Sequence, residues 1–128
     1  MKKIWEENGR RREVKENEIQ YRSYEFAIRV IKLVSGLPQT QISKVLGGQI
    51  LRSGTSIGAN VEEAIGAYSK NDFTNKMNIA QKEARESNYW LRLIRDSELV
   101  NKDKMEPIIQ ESEEITRILT SIVKTSKQ

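Results

Sequence analysis

The sequence predicts an all-α fold, an antiparallel up-down-up-down four-helix bundle, on the basis of three observations. Apolar residues recur at helical spacing in four long segments. Only 7 glycines and 2 prolines occur among 128 residues, too few for a β architecture with many turns. The links between the segments are short, which favours antiparallel neighbours. We therefore expect one domain of common size, with helices over about 19–36, 39–67, 70–97 and 104–125.

The composition excludes several functional classes. The chain has no Cys and no His, which removes disulfides, thiol nucleophiles, Cys/His zinc sites and a Ser-His-Asp relay. Its longest apolar runs are a few residues, far below the roughly 20 that cross a bilayer, so we expect no membrane contact. The charged N-terminus lacks an apolar signal stretch, which predicts a cytoplasmic location. No cofactor is expected.

Residues 1–18 form a charged arm that precedes the first helix. Its densest basic cluster is Arg10, Arg11 and Arg12, and Gly9 interrupts any helix there. We predict a flexible or frayed arm, with helix after about residue 10 as the alternative, and we find no strand pattern anywhere in the chain.

The first two helices each show a wide apolar face. Gly36 and Pro38 supply a stop signal after the first helix. Its predicted core positions are Phe26, Val30, Ile31, Leu33, Val34 and Leu37. Those of the second helix are Ile42, Leu46, Ile50, Ile57, Val61, Ala64 and Tyr68. Gly47 and Gly48 lie inside this pattern at a cost of about 1 kcal/mol each relative to Ala, so a short break could occur there.

The last two helices have stricter patterns. Ser69 is a candidate cap for the third helix, whose predicted core positions are Phe73, Met77, Ala80, Ala84, Ser87, Leu91 and Ile94. The fourth helix should start after Asn101 or Asp103, with Pro107 in its first turn. Its predicted core positions are Met105, Ile108, Ser112, Ile115, Leu119 and Ile122.

The middle of the second helix is rich in small and polar residues where strong helix formers would be expected. Gly54, Gly58 and Ala59 would let another helix come very close. We interpret the polar residues as a network that fixes helix register, inside the bundle or at a subunit contact, with a ligand or catalytic site as the alternative. With partners from the third helix, the candidate network comprises Arg52, Ser53, Ser56, Asn60, Glu63, Lys76, Glu83 and Trp90. A buried Arg52 would need a carboxylate, from Glu63 or Glu83.

Two other chemistries fit the sequence poorly. Residues 54–58 (GTSIG) lack the Gly-Lys-Ser/Thr that completes a phosphate-binding P-loop. Clustered glutamates are common on solvated faces, and di-iron bundles use Glu-x-x-His pairs that this chain does not have. We therefore assign no catalytic, cofactor-binding or metal-binding residue.

Three segments carry a more specific pattern: residues 51–64 (LRSGTSIGANVEEA), residues 67–73 with Lys76, and residues 79–91 (IAQKEARESNYWL). In order and spacing they resemble the bacterial four-helix-bundle proteins encoded by intervening sequences within 23S ribosomal RNA genes. With the first helix in register, the resemblance covers about residues 20–122. It implies a homopentamer and a likeness to the accessory variability proteins of diversity-generating retroelements, which associate with nucleic acid and a reverse transcriptase. It supplies no catalytic residues.

Three functional hypotheses follow, and the charge distribution bears on the first of them. The net charge is +4, and residues 1–32 account for +3 of it. The first hypothesis is a non-enzymatic oligomer that binds RNA or DNA through phosphate contacts. Its candidate residues are Arg10, Arg11, Arg12, Lys15, Arg22 and Arg29. The second is a protein–protein scaffold, and the third is an enzyme limited to carboxylate or Lys chemistry around Arg52, Asn60 and Glu83.

Overall fold

Four helices make up most of the structure. The computed structural model describes the backbone of residues 3–5, 11–13 and 15–128, and the side chains from residue 18 onward. The helices are α1 (Lys15–Ser35), α2 (Gln41–Ile65), α3 (Lys70–Asp96) and α4 (Lys102–Lys127). The prediction of an all-α four-helix fold is confirmed for the folded body. Within the described part of the chain, no helix combines the length and the apolar character required to cross a bilayer.

Two short strands precede α1, in a segment without a strand pattern in its sequence. The strands β1 (Lys3–Trp5) and β2 (Arg11–Glu13) pair antiparallel, with Lys3 opposite Glu13 and Trp5 opposite Arg11. Three residues are too few to show the alternation that identifies a strand in a sequence, which is why the sequence shows no strand pattern there. The prediction of helix after about residue 10 is wrong for Arg11–Glu13. The helix that follows begins at Lys15, earlier than the predicted residue 19.

Side-chain caps set where the later helices begin. Thr40, Ser69 and Asn101 each accept a hydrogen bond from a backbone N–H in the first turn of α2, α3 and α4. The Thr40 cap explains why α2 begins at Gln41 and not at residue 39. Because Asn101 caps α4, Pro107 lies in the second turn of that helix instead of the predicted first.

The core follows the predicted periodicity most closely in α3 and α4. All seven predicted positions of α3 are buried, and they are the buried residues of that helix. All six predicted positions of α4 are buried too, and Ile109, Val123 and Ser126 join them. The regular alternation of three- and four-residue steps therefore located the inward faces of both helices.

The apolar faces predicted for α1 and α2 are wider than the buried faces of these helices in the structure. Ile31, Ile42 and Tyr68 were expected in the core but are 47%, 61% and 99% exposed. The buried stripe of α1 instead includes Ser23 and Ile19, one and two turns before Phe26, and Ile31 lies beside that stripe. Tyr68 lies beyond the last residue of α2, where helical periodicity no longer applies.

Glycines let α1 and α2 approach closely. The helix α2 runs unbroken through Gly47 and Gly48. A Cβ atom added at Gly54 would lie 2.9 Å from Cγ2 of Val30, and one added at Gly58 would lie 3.4 Å from the backbone oxygen of Ser23. Both glycines therefore face α1 of the same chain, whereas Ala59 is exposed.

Alanine at Gly48 and at Gly54 should have opposite effects on stability. An added Cβ at Gly48 meets nothing within 4 Å, so Gly48→Ala should raise the free energy of unfolding by about 0.5–1 kcal/mol. At Gly54 the stiff β-branched Val30 cannot yield, and overpacking of about 1–3 kcal/mol should outweigh the helix-propensity gain. Urea denaturation measures both effects. Equal stabilisation by the two substitutions would contradict the close approach at Gly54.

Candidate functional site

A polar cluster joins α2 and α3 on the surface. The Arg52 guanidinium contacts three acceptors: Glu83 Oε1 at 3.3 Å from Nη1, Gln49 Oε1 at 3.4 Å from Nη2, and Glu86 Oε2. Trp90 Nε1 donates to the same Glu86 Oε2 over 2.9 Å. We call these five residues the Arg52 cluster. It brings together three predicted site residues, Arg52, Glu83 and Trp90.

The Arg52 cluster is suited to fixing helix register. The Arg52 side chain is 49% exposed, so this arginine lies at the surface. Its carboxylate partners are Glu83 and Glu86, and Glu63 takes no part. Exposed ion pairs contribute about 0–1 kcal/mol each, so the cluster contributes more to the alignment of two helices than to stability.

A buried pair of hydroxyls lies beside this cluster. Ser87 Oγ donates a hydrogen bond of 2.9 Å to Ser53 Oγ, and both residues are fully buried between α2 and α3. Each hydroxyl satisfies the other in a position that excludes water. Ser53, one residue of the predicted polar network, therefore lies in the bundle core.

Removing one hydroxyl of the pair should cost more than removing both. Ser53→Ala leaves the buried Ser87 hydroxyl without its acceptor, which should cost about 1–3 kcal/mol of unfolding free energy. The double variant with Ser87→Ala removes both polar groups and should be closer to the wild type. A double-mutant cycle in urea gives the coupling energy, and strictly additive losses would contradict the direct hydrogen bond.

The remaining members of the predicted network do not converge on a site. Ser56 Oγ donates to the Arg52 carbonyl over 2.6 Å, and Asn60 Nδ2 donates to the Ser56 carbonyl over 2.8 Å. Both bonds stay within α2. Glu63 is exposed and Lys76 is half-buried, and no hydrogen bond or ion pair within the described residues joins either of them to the Arg52 cluster.

The candidate nucleic-acid residues divide into three groups. Arg22 binds Glu111 on α4 through two hydrogen bonds, of 2.9 and 2.7 Å, and these bonds raise the pKa of its guanidinium. Arg29 is exposed, and no ion pair within residues 18–128 engages it. Arg10 lies outside the described residues, as do the side chains of Arg11, Arg12 and Lys15. Because Arg22 holds α1 against α4, Arg29 is the better candidate for a phosphate contact.

Two surface depressions flank the helix turns. One, of about 500 Å³, lies at the α1–α2 turn, where the hydroxyl of the buried Ser43 has no hydrogen-bond partner among the described residues. The other, of about 590 Å³, lies at the α3–α4 turn, where Arg95 pairs with Asp96 and Glu106. No group of acidic side chains in the described part of the chain is arranged to hold a metal ion. We assign no catalytic role to either depression.

The fold and the Arg52 cluster define an all-α protein of four helices whose polar residues align α2 and α3. Residues 15–121 match the model of the 23S rRNA-intervening sequence protein family, and the chain belongs to this family. It is similar to a protein of unknown function from the S23 ribosomal protein family of Bacteroides thetaiotaomicron, known from a crystal structure. The two are 47% identical, with a TM-score of 0.82 over 88% of this chain and 100% of the other. The chain matches none of the curated proteins with which it was compared.

Proposed function

We propose that this protein is a non-enzymatic homo-oligomer that associates with nucleic acid through a basic surface. The ligand is structured RNA or an RNA–protein complex in the cytoplasm. The observation that carries the proposal is the positive charge: 22 basic against 18 acidic residues, with a pI of about 9.4. The family's description links it to an intervening sequence of 23S rRNA, which supports RNA as the ligand.

The basic surface favours contacts to phosphates over contacts to bases. The excess charge is concentrated at the N-terminal end, where residues 1–32 hold nine basic and six acidic side chains. Within this segment Arg10, Arg11, Arg12 and the exposed Arg29 are the cations that we assign to RNA. Phosphate contacts carry no sequence information, so we expect weak sequence specificity.

Side-chain pairs support an antiparallel arrangement of neighbouring helices. Between α3 and α4, Gln81 bonds Thr120 over 2.8 Å and Asn88 bonds Ser112 over 2.9 Å. Residues later in α3 therefore contact residues earlier in α4, as expected for two antiparallel helices. Together with the short links, this register favours the up-down-up-down order.

Assembly into a pentamer would multiply the charge. Five copies of a +4 chain carry +20 in one particle. A closed ring needs apolar surface for its subunit contacts, and four of the five exposed large aliphatic side chains of residues 18–128 lie on α1 and α2. These four are Ile31, Ile42, Val45 and Leu51. We assign the subunit contact to these two helices.

A salt titration of RNA binding tests the proposal. The probe is a hairpin RNA with an unpaired loop, followed by fluorescence anisotropy with the full chain. Phosphate contacts release counterions, so the logarithm of the association constant should fall linearly with the logarithm of salt concentration, by about 0.7–0.9 per contact. Absence of binding at low salt, or binding that ignores salt, would contradict the proposal.

A protein–protein scaffold is the second candidate, and the exposed aliphatic side chains of α1 and α2 favour it. In that case the apolar surface would bind a different protein, such as a reverse transcriptase, and RNA would play no direct part. Co-purification separates the two functions. A stoichiometric protein partner without bound nucleic acid would favour the scaffold.

A further inference from the structure

The outward side of α3 carries a row of cations around an exposed aromatic ring. Lys82, Arg85, Tyr89 and Arg92 follow at steps of three, four and three residues, which places them on one side of the helix, and all four are exposed. The row is about 15 Å long at the α-helical rise. We call these four residues the α3 outer face.

The acidic residues of α3 that could neutralise this row are engaged elsewhere. Glu86 lies four residues after Lys82, a spacing suited to an ion pair, but its carboxylate is bound by Arg52 and Trp90. Asp96 lies four residues after Arg92, and Arg95 donates to both of its carboxylate oxygens. The hydrogen bond from Arg95 is the main cause of the lowered pKa of Asp96, to which the charge of Arg92 adds a smaller electrostatic contribution. The ion pairs found within residues 18–128 do not include Lys82, Arg85 or Arg92. The row therefore presents three cations to solvent.

The aromatic ring of this row is held in place. Tyr89 is 47% exposed, and its ring meets the Trp90 ring edge-on, with centroids 5.0 Å apart. The Arg92 guanidinium lies over the Tyr89 ring, 5.9 Å from its centroid, and Arg92 Nε donates to Asn88 Oδ1 over 2.8 Å. Since Trp90 bonds Glu86, the Arg52 cluster fixes the platform on which Tyr89 rests.

We propose that the α3 outer face binds an unpaired strand of RNA. The three cations contact successive phosphates, and one base stacks on the Tyr89 ring. Cations interleaved with an exposed aromatic are the combination with which proteins hold single strands, because every base offers a π-face. Paired RNA hides its base faces in the helix stack, so this surface favours loops and bulges. The inference rests on the proposed function and adds a second RNA contact to the N-terminal arginines.

Four variants of the full chain test the assignment, with a single-stranded oligoadenylate of about 12 nucleotides as the probe. Tyr89→Ala should weaken binding by about 5- to 150-fold, the range expected for loss of one stacked base. Tyr89→Phe keeps the ring and should bind like the wild type. The triple variant Lys82→Gln, Arg85→Gln and Arg92→Gln should reduce the salt slope by about 2. The matched control neutralises three exposed cations of α4 and should keep the wild-type slope; it carries Lys102→Gln, Lys104→Gln and Lys127→Gln.

The outcomes distinguish this inference from the proposed function. Three results together support the assignment. Tyr89→Ala weakens binding, Tyr89→Phe binds like the wild type, and only the α3 triple variant has a reduced salt slope. If the wild type binds and neither Tyr89→Ala nor the α3 triple variant differs from it, the assignment is overturned and the proposed function still stands. A wild-type protein that binds neither the oligoadenylate nor the hairpin would overturn both. All the substituted side chains are exposed, and circular dichroism verifies that each variant remains helical.

Discussion

Replacing Phe73 with alanine is expected to lower the free energy of unfolding by about 3–5 kcal/mol. Phe73 is fully buried in the first turn of α3, and its N–H donates to the carbonyl of the Ser69 cap over 3.0 Å. Removing the ring leaves a cavity where α3 begins. Because domains of this size are stable by only about 5–15 kcal/mol, the loss would be a large fraction of the total. Urea denaturation followed by circular dichroism measures it.

Tyr68 provides the matched control, since it is an aromatic residue only five positions away. Its side chain is 99% exposed, so Tyr68→Ala should change the unfolding free energy by no more than about 0.5 kcal/mol. Similar losses for Phe73→Ala and Tyr68→Ala would contradict the packing described for the start of α3.

Charge reversal of the N-terminal arginines is expected to have the largest effect on RNA binding. The variant carries Arg10→Glu, Arg11→Glu and Arg12→Glu. Loss of three phosphate contacts at roughly 1 kcal/mol each should weaken binding of the hairpin RNA by about 150-fold. The salt slope should fall by about 2–3, because three fewer counterions are released. Fluorescence anisotropy over a range of salt concentrations measures both quantities.

Reversal of three α4 lysines controls for the change in overall charge. Lys102→Glu, Lys104→Glu and Lys127→Glu alter the net charge by the same amount at exposed positions. This control should bind more tightly than the arginine variant and should keep a steeper salt slope. Equal losses in the two variants would show that the arginines act only through net charge.

Helical periodicity predicted the fold well where each helix has a single narrow apolar stripe. In α3 the steps from Phe73 to Ile94 identified every buried position of the helix. In α1 and α2 the apolar residues outnumber the core positions, so spacing could not tell Val30, which is buried, from Ile31, which is exposed. Short strands such as Lys3–Trp5 carry too few residues for any periodic signal.

The candidate site was predictable only in part. Arg52, Glu83 and Trp90 do meet, but spacing alone could not show which carboxylates bind Arg52. The pairing of Arg22 with Glu111 links positions 89 residues apart, a distance over which a sequence pattern carries no information. The α3 outer face had a readable signal in the basic residues at 82, 85 and 92, which share one side of a helix. Its meaning emerged only from the structure, which shows that Glu86 and Asp96 are engaged elsewhere.

We propose that an oligomer of this chain binds RNA through phosphate contacts. Light scattering on a sizing column, with and without the hairpin RNA at low and at moderate salt, tests it most directly. We predict a particle of about 74 kDa, five copies of the 14.8 kDa chain, whose mass rises with RNA at low salt and returns at moderate salt. A monomer, or an oligomer whose mass is the same with and without RNA, would contradict the claim.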